Sequence, residues 1–209
     1  MSREDILTAA ETLFERFGYN GTSMRQLADA IGLKAGSLYS HISSKEELLC
    51  AIVDRIAWQI LAACRSAAEM NAPPRERLRA FIIGHLECMA RQPKMANVLL
   101  LEWRSLPPAR KAAIRNMRDE VEKILTKIIA DGQETGEFRS VQVKWVRFVL
   151  LSAVNWTSQW FDPKGPNTPE EIADGYLDVI LAGIGGSRLN TPPSSPSGVR
   201  RLKKTRKGS

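Results

Sequence analysis

The sequence is poor in the residues from which metal and redox centres are built. Among 209 residues there are two histidines, His41 and His85, and three cysteines, Cys50, Cys64 and Cys88. A structural zinc site takes four ligands, and a soft-metal sensor takes several thiolates. His85 and Cys88 stand three apart, which is half a metal site at most, and a packed pair is the simpler reading. The odd, scattered cysteines make no disulfide framework and fit a reducing cytosol. No apolar run approaches the ~20 residues that span a bilayer. The opening MSREDILTAAETLF carries acids at once and lacks the apolar core of a secretory leader. No nucleophile–base arrangement, glycine-rich phosphate loop or H-E-x-x-H pattern occurs. The chain therefore does not read as an enzyme, and no catalytic residue, metal or cofactor is expected. Glu46 and Glu47, beside Lys45, are first-turn acids favoured by a helix dipole rather than a catalytic pair.

Acid is also missing from one stretch, and this changes what the net charge of +7 means. Residues 187–209 hold Arg188, Arg200, Arg201, Lys203, Lys204, Arg206 and Lys207 and no carboxylate. The other residues are then neutral, with 23 basic and 23 acidic side chains. The basic isoelectric point belongs to the tail, and the body is not a basic nucleic-acid surface by composition. Rich in Pro and Ser and then in Lys and Arg, residues 187–209 are expected to form a disordered basic tail. Such a tail is either a DNA arm acting through counterion release or a solvated end.

What is present is helical periodicity, punctuated by breakers. Leu7, Ala10, Leu13, Phe14 and Phe17 recur at helical spacing over 4–17, and Gly18 closes the run. Ser23 opens a second helix with Gln26 three residues on, the form of a capping box. Its inward stripe is Met24, Leu27, Ala28 and Ile31. Gly32 breaks it, and a short third helix is predicted at about 34–41. Ser44, with Glu47 three residues later, starts a fourth helix that runs to about 69. Further helices are predicted at about 75–90, 94–104, 108–132, 141–161 and 168–184. Pro73-Pro74, Pro93, Pro107-Pro108, Gly132 with Gly136, and the stretch Pro163–Pro169 separate them. The expected fold class is all-α with nine helices.

Two short helices around a glycine-containing turn, residues 23–42, have the helix-turn-helix form. The second helix of such a unit enters the major groove by its N-terminal part. Leu38 and Ile42 are expected to face inward. Lys34, Gly36, Ser37, Tyr39, Ser40 and His41 are left outward, and Ala35 is small enough for close approach. Tyr39 and His41 can donate to phosphates, and Lys45 can add a charge. Thr22 and Ser23 stand where a helix N-terminus can offer N–H groups to a phosphate, with Arg25 alongside.

The segment GYNGTSMRQLADAIGLKAGSLYSHISSKEELL closely resembles the N-terminal domain of the TetR family of bacterial repressors. The shared features are G-x-x-x-T-[ST]-x-x-x-[IL]-A, a Gly-led turn, G-[ST]-L-Y-x-H and S-K-E-x-L, all within 3–50. Position 34 is Lys where a small polar residue is common. Position 35 is Ala where a basic residue is common, and position 42 is Ile where an aromatic is usual. The first two changes touch base preference, so the family's operator rules do not carry over. The resemblance implies a helical C-terminal domain, homodimerisation and a small-molecule pocket. The expected domains are 1–61 for DNA binding and 62–186 for ligand binding and dimerisation, joined by the fourth helix. Self-pairing through about 141–184 follows from the same resemblance.

Residues 95–185 more diffusely resemble the ligand domains of TetR regulators of fatty-acid and sterol degradation, which answer to acyl-CoA thioesters. That resemblance implies a small hydrophobic effector, with acyl-CoA one candidate. An apolar cavity with a few polar groups is then expected. Trp58, Phe81, His85, Met89, Leu99, Trp103, Met117, Trp156 and Trp160 are candidates to line it, although such residues also make ordinary cores. All five tryptophans lie outside 23–42. The function expected is that of a cytoplasmic, ligand-responsive repressor on a palindromic operator. A constitutive or architectural DNA-binding protein with a filled core remains the alternative.

Overall fold

A computed structural model describes residues 2–182; the basic tail of the sequence reading falls outside them. Among the described residues there are nine α-helices and two short 3-10 turns, and no strand. Helix α1 spans Arg3–Gly21, α2 Met24–Ala30, α3 Ala35–Tyr39 and α4 Lys45–Glu69. Next come α5 at Pro74–Arg91, α6 at Pro93–Glu102, α7 at Pro108–Glu134, α8 at Val143–Trp156 and α9 at Pro169–Ala182.

The starts of these helices follow from side-chain chemistry. Ser2 caps α1 reciprocally with Asp5, and Ser23 caps α2 reciprocally with Gln26. Pro74, Pro93 and Pro108 occupy first helical positions, where a fixed φ fits and no N–H is missed. Ser44 accepts the Glu47 N–H at the start of α4. The second half of the box expected there is displaced by one residue. Glu47 takes the Ser43 N–H and hydroxyl, and also Arg3, which ties α4 to α1.

Two boundaries differ from the sequence reading. Gly132 does not end α7. It lies inside the last turn, and the Phe138 ring folds back onto its bare Cα, where a Cβ would overlap the ring. Gly136, at φ 78°, makes the reversal. Helix α8 stops at Trp156 rather than near 161. Thr157 then begins a 3-10 turn, with its hydroxyl bonded to the Ala153 carbonyl and to the Tyr176 hydroxyl of α9.

One contiguous core runs from Ile6 through the small N-terminal bundle, along α4 and into the C-terminal helices as far as Leu177. The core side of α4 is Leu48, Ile52, Val53, Ile56, Ile60 and Cys64, at helical spacing throughout. The helix continues unbroken through residue 61, so both modules share it. It packs mainly on α5 and α7, while α1 packs on α6. Arg77 and Asp131 join α5 to α7 as a half-buried ion pair at 2.9 Å, and Arg79 grips Asp174 of α9 with two hydrogen bonds. Among the described residues no helix is long and apolar enough to cross a membrane.

Candidate nucleic-acid interface and ligand cavity

The α2–α3 unit is held from within. Leu27, Ala28, Leu38 and Ile42 are fully buried. The turn between the helices closes through Leu33 N–H on the Ala28 carbonyl, with Gly32 at φ 70°. Lys34 precedes α3, and its carbonyl accepts the Ser37 and Leu38 N–H groups. Its own side chain points outward, as do Gly36, Ser37, Ser40 and His41, and Tyr39 is 54% exposed. Arg25 is exposed on α2 and forms only a loose pair with Asp29 at 4.0 Å. These groups are an exposed polar set on α2, on α3 and on the residues flanking α3. Within it, the Ser40 hydroxyl is already committed to the Ser37 carbonyl at 2.7 Å.

Three of the sequence candidates sit differently. The Thr22 side chain is buried, and its hydroxyl donates to the Gly18 and Leu13 carbonyls. The Ser23 N–H is taken by Gln26 Oε1. Lys45 Nζ donates to the carbonyls of Tyr19 and Thr22, each at 2.7 Å, and lies 4.3 Å from the Tyr19 ring centroid. Lys45 is thus a clamp between α4 and the turn before α2. For Ser23 the capping box itself occupies the N–H, whereas for Thr22 and Lys45 the acceptors are backbone carbonyls that residue spacing does not announce.

A cavity of about 370 Å³ opens between α4, α5, α6, α7 and α8. Four of the nine sequence candidates meet there: His85, Leu99, Trp103 and Met117. The other five lie elsewhere. Phe81 is sealed in the core, its centroid 6.5 Å from His85. Met89 lies beside Thr157 and Ile172. Trp58, Trp156 and Trp160 are about half exposed or more, on the outer surface. The walls are Ala57, Ile60, Ile114, Val121 and Leu151, with Asn155, Ser152, Glu122, Arg104 and Arg118 as polar liners.

His85 is the unusual member. It is buried, and neither ring nitrogen has a partner in hydrogen-bonding geometry. Burial pushes its pKa down to about 4; the nearby Asn155 amide favours the charged form but does not offset the desolvation. The ring is therefore neutral at physiological pH, with one donor and one acceptor to offer. An unpaired polar group in such a place costs on the order of 1–3 kcal/mol, and a ligand atom could recover part of that.

A second feature was invisible to sequence reasoning. Glu102, at the end of α6, accepts the Tyr19 N–H at 2.9 Å, beside Gly18 at φ 72°. Leu99, Leu100, Trp103 and Arg104, its neighbours in sequence, line the cavity. The stretch that walls the cavity thus also holds the turn at the end of α1.

An outward helix-turn-helix on one module, joined by α4 to an all-helical C-terminal module, defines a class, that of helix-turn-helix DNA-binding regulators. Residues 6–52 match the family described as bacterial regulatory proteins, tetR family. Residues 71–184 match the tetracyclin repressor-like C-terminal domain. The chain belongs to the TetR family of transcriptional regulators, and its relatives are regulators rather than enzymes. It is 27% identical over 184 residues to the HTH-type transcriptional repressor KstR2 of Mycobacterium tuberculosis, covering 87% of this chain and 92% of that one. The structure of the TetR family regulator PfmR from Thermus thermophilus is 36% identical, with a TM-score of 0.79, over 88% of this chain and all of that one. AibR, solved in complex with isovaleryl coenzyme A and operator DNA, is 30% identical with a TM-score of 0.74, over 85% and 97% of the two chains.

Proposed function

We propose that the protein is a homodimeric repressor that a small hydrophobic effector, an acyl-CoA or comparable lipid-like molecule, releases from a palindromic operator. The observation that carries this reading is the cavity with an unpartnered buried His85 in its wall, sharing α4 and α6 with the module that bears the reader. A constitutive DNA-binding protein has no use for that space. The relatives support the same direction. KstR2 is described as a ketosteroid transcriptional regulator, and AibR holds isovaleryl coenzyme A.

The dimer reading rests on an exposed apolar face. Trp145, Val149 and Trp156 lie on one side of α8 with relative exposures of 58%, 60% and 68%, and Val179 of α9 is 58% exposed. Side chains this large and this bare on neighbouring helices call for cover, and a second copy supplies it symmetrically. Two α3 helices would then enter successive major grooves about 34–36 Å apart. Arg25, Lys34, Ser37, Tyr39 and His41 would face DNA, with the backbone at Ala35 and Gly36 in close approach. Thr22, Ser23 and Lys45 would set the approach of α2 rather than reach phosphates by side chain. An effector would act by moving α4 and α6, and so the spacing of the two readers. The protein would work in the cytoplasm, on the nucleoid.

Fluorescence anisotropy with fragments of the promoter region upstream of its own gene tests this. A tight site is expected with Kd on the order of 10⁻⁸–10⁻¹¹ M. Isovaleryl-, octanoyl- or palmitoyl-CoA is expected to lower that affinity roughly 5- to 150-fold. Tight binding that no hydrophobic ligand alters would mean a constitutive binder.

A further inference from the structure

Positive charge is concentrated on one short stretch of the C-terminal module. From Trp103 to Arg118 the chain carries Arg104, Arg110, Lys111, Arg115 and Arg118 and no carboxylate, whereas residues 1–61 hold six basic and eight acidic side chains. Among the described residues only Arg110 of the five is ion-paired, to Asp54 of α4 at 2.8 Å. Arg104, Arg115 and Arg118 gather around one indole, 5.2, 6.0 and 4.3 Å from the Trp103 ring centroid. Lys111, Arg115 and Arg118 follow one another at spacings of four and three along α7, where like charges repel. Burial and the charge of Arg104 both disfavour the ionised form of Arg118. Folding alone gives no reason to hold such a row together, and a polyanion laid along it does.

Three contacts set this row beside the reader. Asp54 meets Arg110 and Arg65 meets Glu120, so α7 runs alongside α4 in the same direction. At ~1.5 Å per residue Asp54 lies about 14 Å along α4 from Lys45, so the basic row occupies the reader end of the C-terminal module. Glu102, two residues before Arg104, holds the Tyr19 N–H just ahead of α2.

The reader itself is short of free cations. Arg3 pairs with Glu47, Arg55 pairs with Glu4, and Lys45 is committed to backbone carbonyls. Arg16 lies over the Phe17 ring, which leaves Arg25 and Lys34 in the outward polar set. Duplex binding draws much of its strength from neutralising phosphates and releasing their counterions, and two cations per protomer supply little of it.

Resting on the operator reading above, we propose that the basic row at 104–118 is a second DNA contact, made to the phosphate backbone beside the bases that α3 reads and independent of sequence. Arg104 and Arg115 are exposed and Lys111 is half-buried. From Lys111 to Arg118 the row is about 10 Å long, which matches roughly three phosphates of one strand at about 3.4 Å of axis each.

Fluorescence anisotropy of the full chain, with residues 187–209 kept in every variant, tests the assignment on two duplexes, a promoter fragment and an unrelated sequence. Affinity is followed against potassium chloride from about 50 to about 200 mM. The triple variant Arg104→Gln/Lys111→Gln/Arg115→Gln is expected to bind both duplexes about tenfold or more weakly at low salt. Its plot of log affinity against log salt should flatten by about 2–3 per protomer, since each lost phosphate contact removes about 0.9 from the slope. Its preference for the promoter fragment should stay as in the parent, because phosphate contacts carry no sequence information, and its melting temperature should not fall. Arg104→Lys/Arg115→Lys should keep the parental slope, because counterion release follows charge. A triple variant with the parental slope on both duplexes overturns the proposal. Weaker binding at an unchanged slope assigns the effect to packing around Trp103 and overturns it as well. A parental slope combined with a lost response to acyl-CoA gives the row to the effector, which refutes the DNA contact and leaves the operator reading standing. If the parent binds the two duplexes alike, the operator reading fails, while the slopes of parent and triple variant still decide the row.

Discussion

Replacing His85 with Gln should remove a specific pH dependence of stability. The histidine pKa falls from about 6.5 in the unfolded chain to about 4 in the fold, because the buried ring is desolvated. Above pH 6.5 both states are neutral at this position and it contributes nothing. Below 6.5 the unfolded chain takes up a proton that the folded ring refuses until about pH 4, so stability is lost as pH falls through that window. The loss is about 1.4 kcal/mol per pH unit, and so about 2 kcal/mol between pH 7 and pH 5. The charged groups lining the same cavity are Arg104, Arg118 and Glu122, and Glu122 is engaged by Arg147. Carboxylates elsewhere titrate too, so the parent must be compared with His85→Gln, which keeps a polar amide and cannot ionise in this range. Urea unfolding at pH 7 and pH 5, at one protein concentration, should show the parent losing about 2 kcal/mol more than the variant. Parallel losses in the two proteins would mean that the His85 ring is solvated or paired, and the reasoning about the cavity would lose its inner anchor.

Four further outcomes follow from contacts already described. Leu38→Ala should cost about 2–5 kcal/mol by emptying a fully buried site in the reader. Tyr39→Ala, on the exposed side of the same short helix, should change stability by under ~0.5 kcal/mol yet weaken operator binding, and the reverse pattern in melts and anisotropy would mean α3 is turned the other way. Gly132→Ala should destabilise by about 1–3 kcal/mol despite the better helix propensity of alanine, because the new Cβ meets the Phe138 ring; a higher melting temperature would contradict this. Glu102→Ala removes a charged acceptor worth about 1.5–3 kcal/mol from the Tyr19 N–H, so hydrogen exchange over residues 19–22 should accelerate about tenfold or more, and unchanged protection would show that the contact holds nothing in place.

Much of the fold was readable because the sequence punctuates its helices with residues of strong local meaning. Prolines at 74, 93 and 108 and serines at 23 and 44 act within one turn of themselves, so tertiary structure had little to override. The reader was readable for the same reason, since its outward residues are nearly consecutive from Lys34 to His41. Gly132 misled because the partner that changes its role, Phe138, closes through a turn rather than along a helix face. The cavity was only half readable. Hydrophobicity and helical spacing pick out Trp103 and Trp156 alike, but one stands at the cavity and the other on an outer face. Arg104 and Arg118 lie on either side of Pro107-Pro108 and meet only at the Trp103 ring. Nothing in the spacing of two arginines announces that.

The same locality explains why the link between cavity and reader had no sequence signal. Glu102 and Tyr19 are 83 residues apart, and each alone is an ordinary surface-prone residue. In the fold they close a short chain of contacts. Trp103 and Arg104 line the cavity, Glu102 holds the Tyr19 N–H, Lys45 holds the Tyr19 and Thr22 carbonyls, and the Thr22 hydroxyl holds Gly18 and Leu13 just ahead of α2. A ligand can shift a conformational equilibrium only by the difference in its interaction with the two states. Allosteric couplings of about 1–3 kcal/mol are typical, and a single charge-assisted hydrogen bond is worth about 1.5–3 kcal/mol. Under the proposed effector reading, loss of the Glu102–Tyr19 contact would be large enough by itself to account for a typical allosteric coupling. No global loosening of the C-terminal core is required. Under that same proposal the positive φ of Gly18, immediately before the held N–H, would give the backbone a point at which to turn.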